Sequence, residues 1–306
     1  MKRLILKIPE YLQLEQEFRE WLYTLGYAEK TVESLPVYIH ELLHYLEQCT
    51  ITNIRSVTPG NITSFLLSFK RRKNLTTGAG LSVWHINKCI VALNKFIEYL
   101  NLTGKHKIEV SLERESVNMI PRTILTREEM TRLYEATYTV KQRHSLAYGQ
   151  RDRTILSVFY GCGLRMNEGL NLEINDIDFK KSLLHVRKGK GDKERYVPVT
   201  EKNLYDLEEY ICNGRRWFMR CTIQNNERLL INYRSQNMTE NGLYPRLKIL
   251  CNEAGISKQV SLHTLRHSIA THLLQQGMSL ENISLFLGHS TLDSTQIYTH
   301  IVNEML

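Results

Sequence analysis

Between Thr103 and Arg122 the chain loses the apolar spacing of three and four residues that governs everything before it, and Gly104 and Pro121 bracket the interruption. No single helical core runs across such a break, which reads as an extended connection between two domains. The length of 306 residues agrees, because single cores stop growing near about 250–300 residues. Before the break, four segments carry helical periodicity. Leu14, Phe18, Trp21, Leu22 and Leu25 mark the first, which ends at Gly26. Thr31 is placed to cap a second, with an apolar face of Leu35, Tyr38, Ile39, Leu42, Leu43 and Leu46. Asn61–Lys70 and Ser82–Leu100 supply two more. Four helices with short connections predict a bundle over 1–103, followed by a linker over 104–122.

The second domain, 123–306, opens with Thr126-Arg127-Glu128-Glu129, a capping-box spacing. It reads as mostly helical with one β element. Leu183–Arg187 and Glu194–Val199 are short strand patterns, and the glycines of the intervening Lys188–Lys193 permit a tight turn. Ser261–Gly277 predicts a helix with Leu265, Ile269, Leu273 and Leu274 on one face. Ser279–Leu287 predicts another, closed by Gly288 in a left-handed cap. The expected class is mainly α with a small antiparallel β element, an α+β chain.

Several classes fall away. Met1–Leu12 is broken by Lys7, Pro9 and Glu10, too early for a signal-peptide core. No stretch reaches about 18 uninterrupted apolar residues, so no membrane partner and a cytoplasmic location are expected. Six scattered cysteines without a C-x-x-C pair predict reduced thiols, neither a disulfide framework nor a metal site.

Five short words stand out: Gly163-Leu164-Arg165-Met166-Asn167-Glu168, Gly189-Lys190-Gly191, His263-Thr264-Leu265-Arg266, Leu287-Gly288-His289-Ser290 and Tyr298-Thr299-His300. Singly each is weak. An Arg near a helix start is usually a surface charge, and a spacing of three puts His263 and Arg266 on one helical face that is more often merely solvated. Tyr298 is one of sixteen tyrosines. The signal lies in their order and separations, with Arg266, His289 and Tyr298 spaced by 23 and then 9 residues.

Together they resemble the tyrosine recombinase (integrase) family, and within it the short Xer-like members. The strong match covers about 165–300. The first 100 residues fit more loosely, through helical layout and basic character. The resemblance implies a SAM-like helical DNA-binding bundle followed by a catalytic domain that cleaves and rejoins duplex DNA through a 3′-phosphotyrosine. Tyr298 would be the nucleophile, with Arg165 and Arg266 clamping the non-bridging oxygens of the scissile phosphate. Lys190 would protonate the leaving 5′-oxygen. His263 would assist proton transfer at Tyr298, His289 would donate to the phosphate, and Glu168 would support the site. A phenol of pKa about 10 is a poor nucleophile at neutral pH, and the local positive charge favours its phenolate.

The same resemblance implies no cofactor, since the bond energy stays in the phosphotyrosine ester and neither metal nor ATP is required. Its expected partners are duplex DNA with paired inverted-repeat sites and further copies of the chain, a tetramer on two sites; accessory DNA-binding proteins are left open. Two departures stand out. Gly169 replaces a bulky apolar residue after the acid, at about 1 kcal/mol relative to Ala in helix propensity. Only Thr299–Leu306 follow the tyrosine, which moves the expectation from Xer-type chromosome or plasmid dimer resolution toward a recombinase of a mobile element or an invertase. Other classes compete: a catalytically silent DNA-binding regulator, and a type IB-like topoisomerase without site preference.

The net charge of +8 is unevenly placed. Residues 50–108 hold nine Lys and Arg against the single acid Glu98. Residues 1–49 hold five against eight acids, and 109–306 hold 26 against 23. A helical half-domain with that excess predicts a phosphate-tracking surface, with Lys70, Arg71, Arg72, Lys73 and Lys88 as candidate backbone contacts and none assigned to a base. If about 6–10 phosphates are neutralised, duplex affinity falls about 10³–10⁵-fold between about 50 and 200 mM salt. A fluorescence-anisotropy titration across that range checks this, and a salt-independent affinity contradicts it.

Overall fold

The structure, a computed structural model, describes residues 4–74, 77–116, 123–139, 145–187, 194–220, 222 and 225–288. It divides into two compact units, Met1–Ile120 and Pro121–Leu306.

The first unit is a helical bundle of α1 (Pro9–Thr24), α2 (Glu29–Gln48), α3 (Pro59–Lys70) and α4 (Val83–Leu102). Its core is built from the periodic apolar residues, among them Phe18, Leu22, Ile39, Leu42, Leu43, Phe65, Leu93 and Phe96. Phe18 and Phe96 meet edge to face, with ring centroids 5.3 Å apart. The helix starts follow capping chemistry. Thr58 and Asn61 form a reciprocal box at α3, and Ser82 Oγ accepts the His85 N–H at α4. Thr31 does not cap α2. Ala28 occupies the N-cap, and the Thr31 N–H already donates to the Ala28 carbonyl at 2.7 Å, inside the first turn.

Residues 105–116, which fall in the expected linker, carry neither helix nor strand and dock on α4, with Ile108 buried. Three asparagines of α4 hold them. The Asn101 side chain accepts from the Ile108 N–H at 2.8 Å and donates to its carbonyl at 2.9 Å. Asn94 does the same to Leu112 at 3.1 and 2.9 Å, and Asn87 to Glu115 at 2.7 and 2.9 Å. Seven helical residues rise about 10.5 Å, and three or four extended residues span about 10–13 Å, so the rungs stay in step.

The second unit contains α5 (Arg127–Thr139), α6 (Ser145–Leu156), α7 (Met166–Asn171), β1 (Ile177–Asp178), β2 (Leu183–Val186), β3 (Arg195–Pro198), α8 (Glu201–Glu209), α9 (Arg215–Met219), α10 (Glu240–Glu253), α11 (Leu262–Gln275) and α12 (Leu280–Leu287). The Thr126–Glu129 box forms, with Thr126 N–H donating to Glu129 Oε2 at 2.7 Å. The strands make one antiparallel sheet in the order β1-β2-β3, with Leu184 opposite Val197 and Val186 opposite Arg195. Helix α6 crosses the middle of the unit and continues into a single π-turn, Ser157–Gly161. It buries Arg151, Asp152 and Arg153. Asp152 pairs with Arg246, whose Nε donates at 3.1 Å. Arg153 donates to Glu209 at 2.9 Å. Arg151 donates to the Ile231 carbonyl and lies over the Tyr148 and Phe218 rings. Gly169 of α7 packs against Phe159, and a Cβ there would come 2.5 Å from Cε1 of that ring. The close approach gives this glycine a packing reason beside its cost in helix propensity. No described helix is long and apolar enough to cross a membrane.

The ladder is testable. Asn94→Ala removes two bonds to half-buried backbone groups of Leu112, which costs the first unit about 1–3 kcal/mol. Trypsin cleavage after the exposed Arg114 accelerates accordingly. Digestion at the wild-type rate rejects the ladder as the holding element.

Candidate active site

The site is assembled where three chain segments end. After the π-turn the backbone reverses at Gly163, in the left-handed region at φ +60. A Cβ on Gly163 would come 2.8 Å from Leu287 Cδ2, so only glycine fits this turn. Leu164 then plugs the core, and Arg165 takes the extended N-cap conformation of α7. Glu168, one turn later, reaches back. Its Oε2 accepts the Arg165 N–H at 2.9 Å and its Oε1 accepts from Arg165 Nη1 at 2.7 Å.

The second segment is the start of α11. Ser261 and Thr264 cap it reciprocally, each side-chain oxygen accepting the other's N–H at 3.1 Å. His263 stands exposed in the first turn, its ring centroid 6.4 Å from that of His267. Arg266, one turn on, is buried to 3% exposure. Its guanidinium donates to the Gly163 carbonyl and, at 2.7 Å, to the Leu287 carbonyl.

The third segment is the end of α12, where Gly288 adopts φ 66, ψ 49. The Gly288 carbonyl accepts from Arg165 Nη2 at 2.6 Å. Arg165 and Arg266, far apart in the chain, therefore donate to the adjacent carbonyls of residues 288 and 287. Those carbonyls lie at the negative end of α12 and have no partner within the helix. His289 follows Gly288 in the chain. Lys190, His289 and Tyr298 lie outside the described residues.

One further side chain enters the site. Arg195, the first residue of β3, forms a bidentate pair with Glu168, Nη1 to Oε1 at 3.1 Å and Nη2 to Oε2 at 2.8 Å. Burial opposes ionisation of the Glu168 carboxyl, but the hydrogen bonds and charge of Arg195, with those of Arg165, outweigh it and hold the pKa at about 2.

Of the basic residues expected to meet DNA, Lys70, Arg71, Arg72 and Lys73 sit in the first unit where α3 ends, and Lys88 sits within α4. Lys70 and Arg72 are ion-paired, with Glu115 and Glu41 respectively. Arg71 and Lys73 are exposed. Lys88 lies over the exposed Trp84 ring, 4.6 Å from its centroid. Among the described residues no group of three or more His, Cys, Asp or Glu side chains could hold a metal ion.

Residues 123–305, the stretch that contains the whole clamp, match the phage integrase family. The chain belongs to this family. It is 31% identical over 301 residues to the tyrosine recombinase XerC of Oceanobacillus iheyensis, covering 97% of this chain and 91% of that protein. It is 29% identical over 280 residues to the tyrosine recombinase XerD of Listeria innocua, covering 90% and 89%. Among solved structures it resembles the XerH site-specific recombinase bound to a palindromic difH substrate in a post-cleavage complex. That match has a TM-score of 0.72 at 23% identity, covering 94% of this chain and 80% of the other.

In this phage integrase family chain, Arg195 is the residue that sequence reasoning passed over. A signal for it exists. Arg195 and Val197 of β3 alternate with exposed neighbours, as does Val199 just after the strand, and Val197 and Val199 are buried. A charge on the buried face of a strand requires a partner. Glu168 also generates a pH-dependent stability. Its folded pKa lies below its ordinary 4.5, so its contribution is present above 4.5 and is lost as pH falls toward about 2. Glu168→Gln therefore lowers the stability of the second unit by about 3 kcal/mol at pH 7, and the gap from wild type narrows by pH 3. Urea unfolding at the two pH values measures this; a gap independent of pH rejects an ionised, paired carboxylate.

Proposed function

We propose that this tyrosine recombinase performs site-specific cleavage and rejoining of duplex DNA through a covalent 3′-phosphotyrosine at Tyr298. One observation carries the reading: Arg165 and Arg266 converge on the carbonyls of Gly288 and Leu287, one residue before His289. Two guanidiniums fixed side by side form a receptor for the two non-bridging oxygens of one phosphate. Each guanidinium carries five N–H groups in a rigid fork, so an arginine anchored to backbone still presents donors in a set direction.

The chemistry is a transesterification. Tyr298 Oη attacks the scissile phosphorus, the bond to the 5′-oxygen breaks, and Lys190 supplies the proton that oxygen takes. His263 accepts the phenol proton, and His289 donates to the pentacoordinate phosphate. Attack by a 5′-hydroxyl reverses the step and releases Tyr298. The first unit supplies the diffuse grip on duplex DNA through its basic α3–α4 connection. The protein acts in the cytoplasm as a tetramer on two inverted-repeat sites, and the outcome is integration, excision or inversion of a DNA element. The names of the two relatives, XerC and XerD, favour a second reading in which the outcome is dimer resolution.

The test uses a duplex selected from a random-sequence pool by the Tyr298→Phe protein, then nicked beside the cleavage point so that cleavage is trapped. Wild type forms a covalent protein–DNA band on denaturing gels and Tyr298→Phe forms none. A wild-type protein that binds the duplex without forming the band overturns the enzymatic reading. Plasmids carrying two copies of the site then separate resolution of direct repeats from inversion.

A further inference from the structure

Arg195 is tied to two of the three segments of the candidate active site. It is the first residue of β3, directly after the segment that carries Lys190, and it lies opposite Val186 of β2. Its guanidinium grips Glu168 with both forks, and the two side chains are 12% and 3% exposed. It also fills the space beside Gly288. A Cβ on Gly288 would lie 2.8 Å from Arg195 Nη1 and 2.9 Å from its Cδ. A surface strand residue does not need this much engagement.

The pattern of bonds on Glu168 shows what the pair does. Each carboxylate oxygen accepts one bond from Arg195 and one from Arg165: Oε1 from both Nη1 atoms, Oε2 from Arg195 Nη2 and the Arg165 N–H. Arg195 gives two parallel bonds from one planar fork, which fix the plane of a carboxylate, whereas Arg165 reaches the same two oxygens through separate groups, its backbone N–H and its Nη1. The plane that Arg195 sets is the one in which Oε1 meets the Arg165 guanidinium. Lysine offers a point charge and not the fork.

We propose that Arg195 is a positioning residue for strand cleavage, orienting the Glu168 carboxylate so that Arg165 faces the scissile phosphate. The proposal rests on the recombinase reading above, and it assigns Arg195 no contact with DNA. It acts through Glu168, so its effect disappears when Glu168 cannot respond.

The experiment measures single-turnover formation of the covalent complex on the nicked, pool-selected duplex, with the full-length chain, for wild type, Arg195→Gln, Glu168→Gln and the double variant. Duplex affinity is measured alongside. Arg195→Gln slows cleavage about tenfold or more while affinity stays within about twofold, and the double variant cleaves as slowly as Glu168→Gln alone. Cleavage by Arg195→Gln within about twofold of wild type overturns the proposal. So does a rate loss that multiplies in full on top of Glu168→Gln, or one matched by an equal loss of affinity. If Arg195→Gln does not fold, Arg195→Lys carries the test: it keeps the charge and loses the fork, so slowed cleavage supports the role and a wild-type rate overturns it. Failure of the wild type itself to form the adduct removes the recombinase reading and the proposal with it, an outcome separate from any behaviour of the variants.

Discussion

A carboxylate withdrawn from water is stable only when its charge is answered, and in the second unit that carboxylate belongs to Glu168. Two guanidiniums answer it from opposite directions in the chain, Arg165 from the start of α7 and Arg195 from the start of β3. The remaining geometry is built outward from that point. Arg165, held by Glu168, reaches the carbonyl of Gly288. Arg266 closes the arrangement by reaching Leu287 and Gly163. Gly163 and Gly288 are the two glycines of this arrangement with left-handed backbone, and an added Cβ at either would run into a side chain, Leu287 at the first and Arg195 at the second. The clamp is thus made of carbonyls and one carboxylate, with the arginines as the connecting parts.

Much of this was legible in advance, for reasons that lie in local chemistry. Ser82 at the start of α4, Thr126 with Glu129, and Gly288 after α12 are signals whose partners lie within a few residues. The chain order of Arg165, Glu168, His263 and Arg266 could be read, but not the place where Arg165 and Arg266 meet, because the carbonyls that gather those two carry no sequence signature. Thr31 misled because a good capping residue stood three positions inside a helix whose first turn was set by Ala28.

What stayed hidden depended on partners distant in the chain. Helix α6 has almost no apolar periodicity, since its buried surface includes Arg151, Asp152 and Arg153. Asp206 and Glu209 of α8 meet Arg153, Arg246 of α10 meets Asp152, and Arg151 bonds the Ile231 carbonyl. Strand β1, two residues long, is too short for any alternation to show. The basic run at the α3–α4 connection illustrates the converse. Counting charges named Lys70 and Arg72 as candidate phosphate contacts, and their ion pairs with Glu115 and Glu41 lie at separations no local pattern reveals. Exposed pairs of this kind are weak, so a phosphate competes for those cations on nearly equal terms.

The asparagines of α4 have a different kind of consequence. Asn87, Asn94 and Asn101 bind only the N–H and C=O groups of Glu115, Leu112 and Ile108. Every residue but proline offers those two groups, so the ladder holds the segment by position and not by identity. Its side chains answer to other contacts: Ile108, Val110 and Leu112 pack against the core of the bundle, and Glu109, Ser111 and Glu113 stay exposed. What the rungs require of α4 is only the spacing of seven residues between one amide and the next.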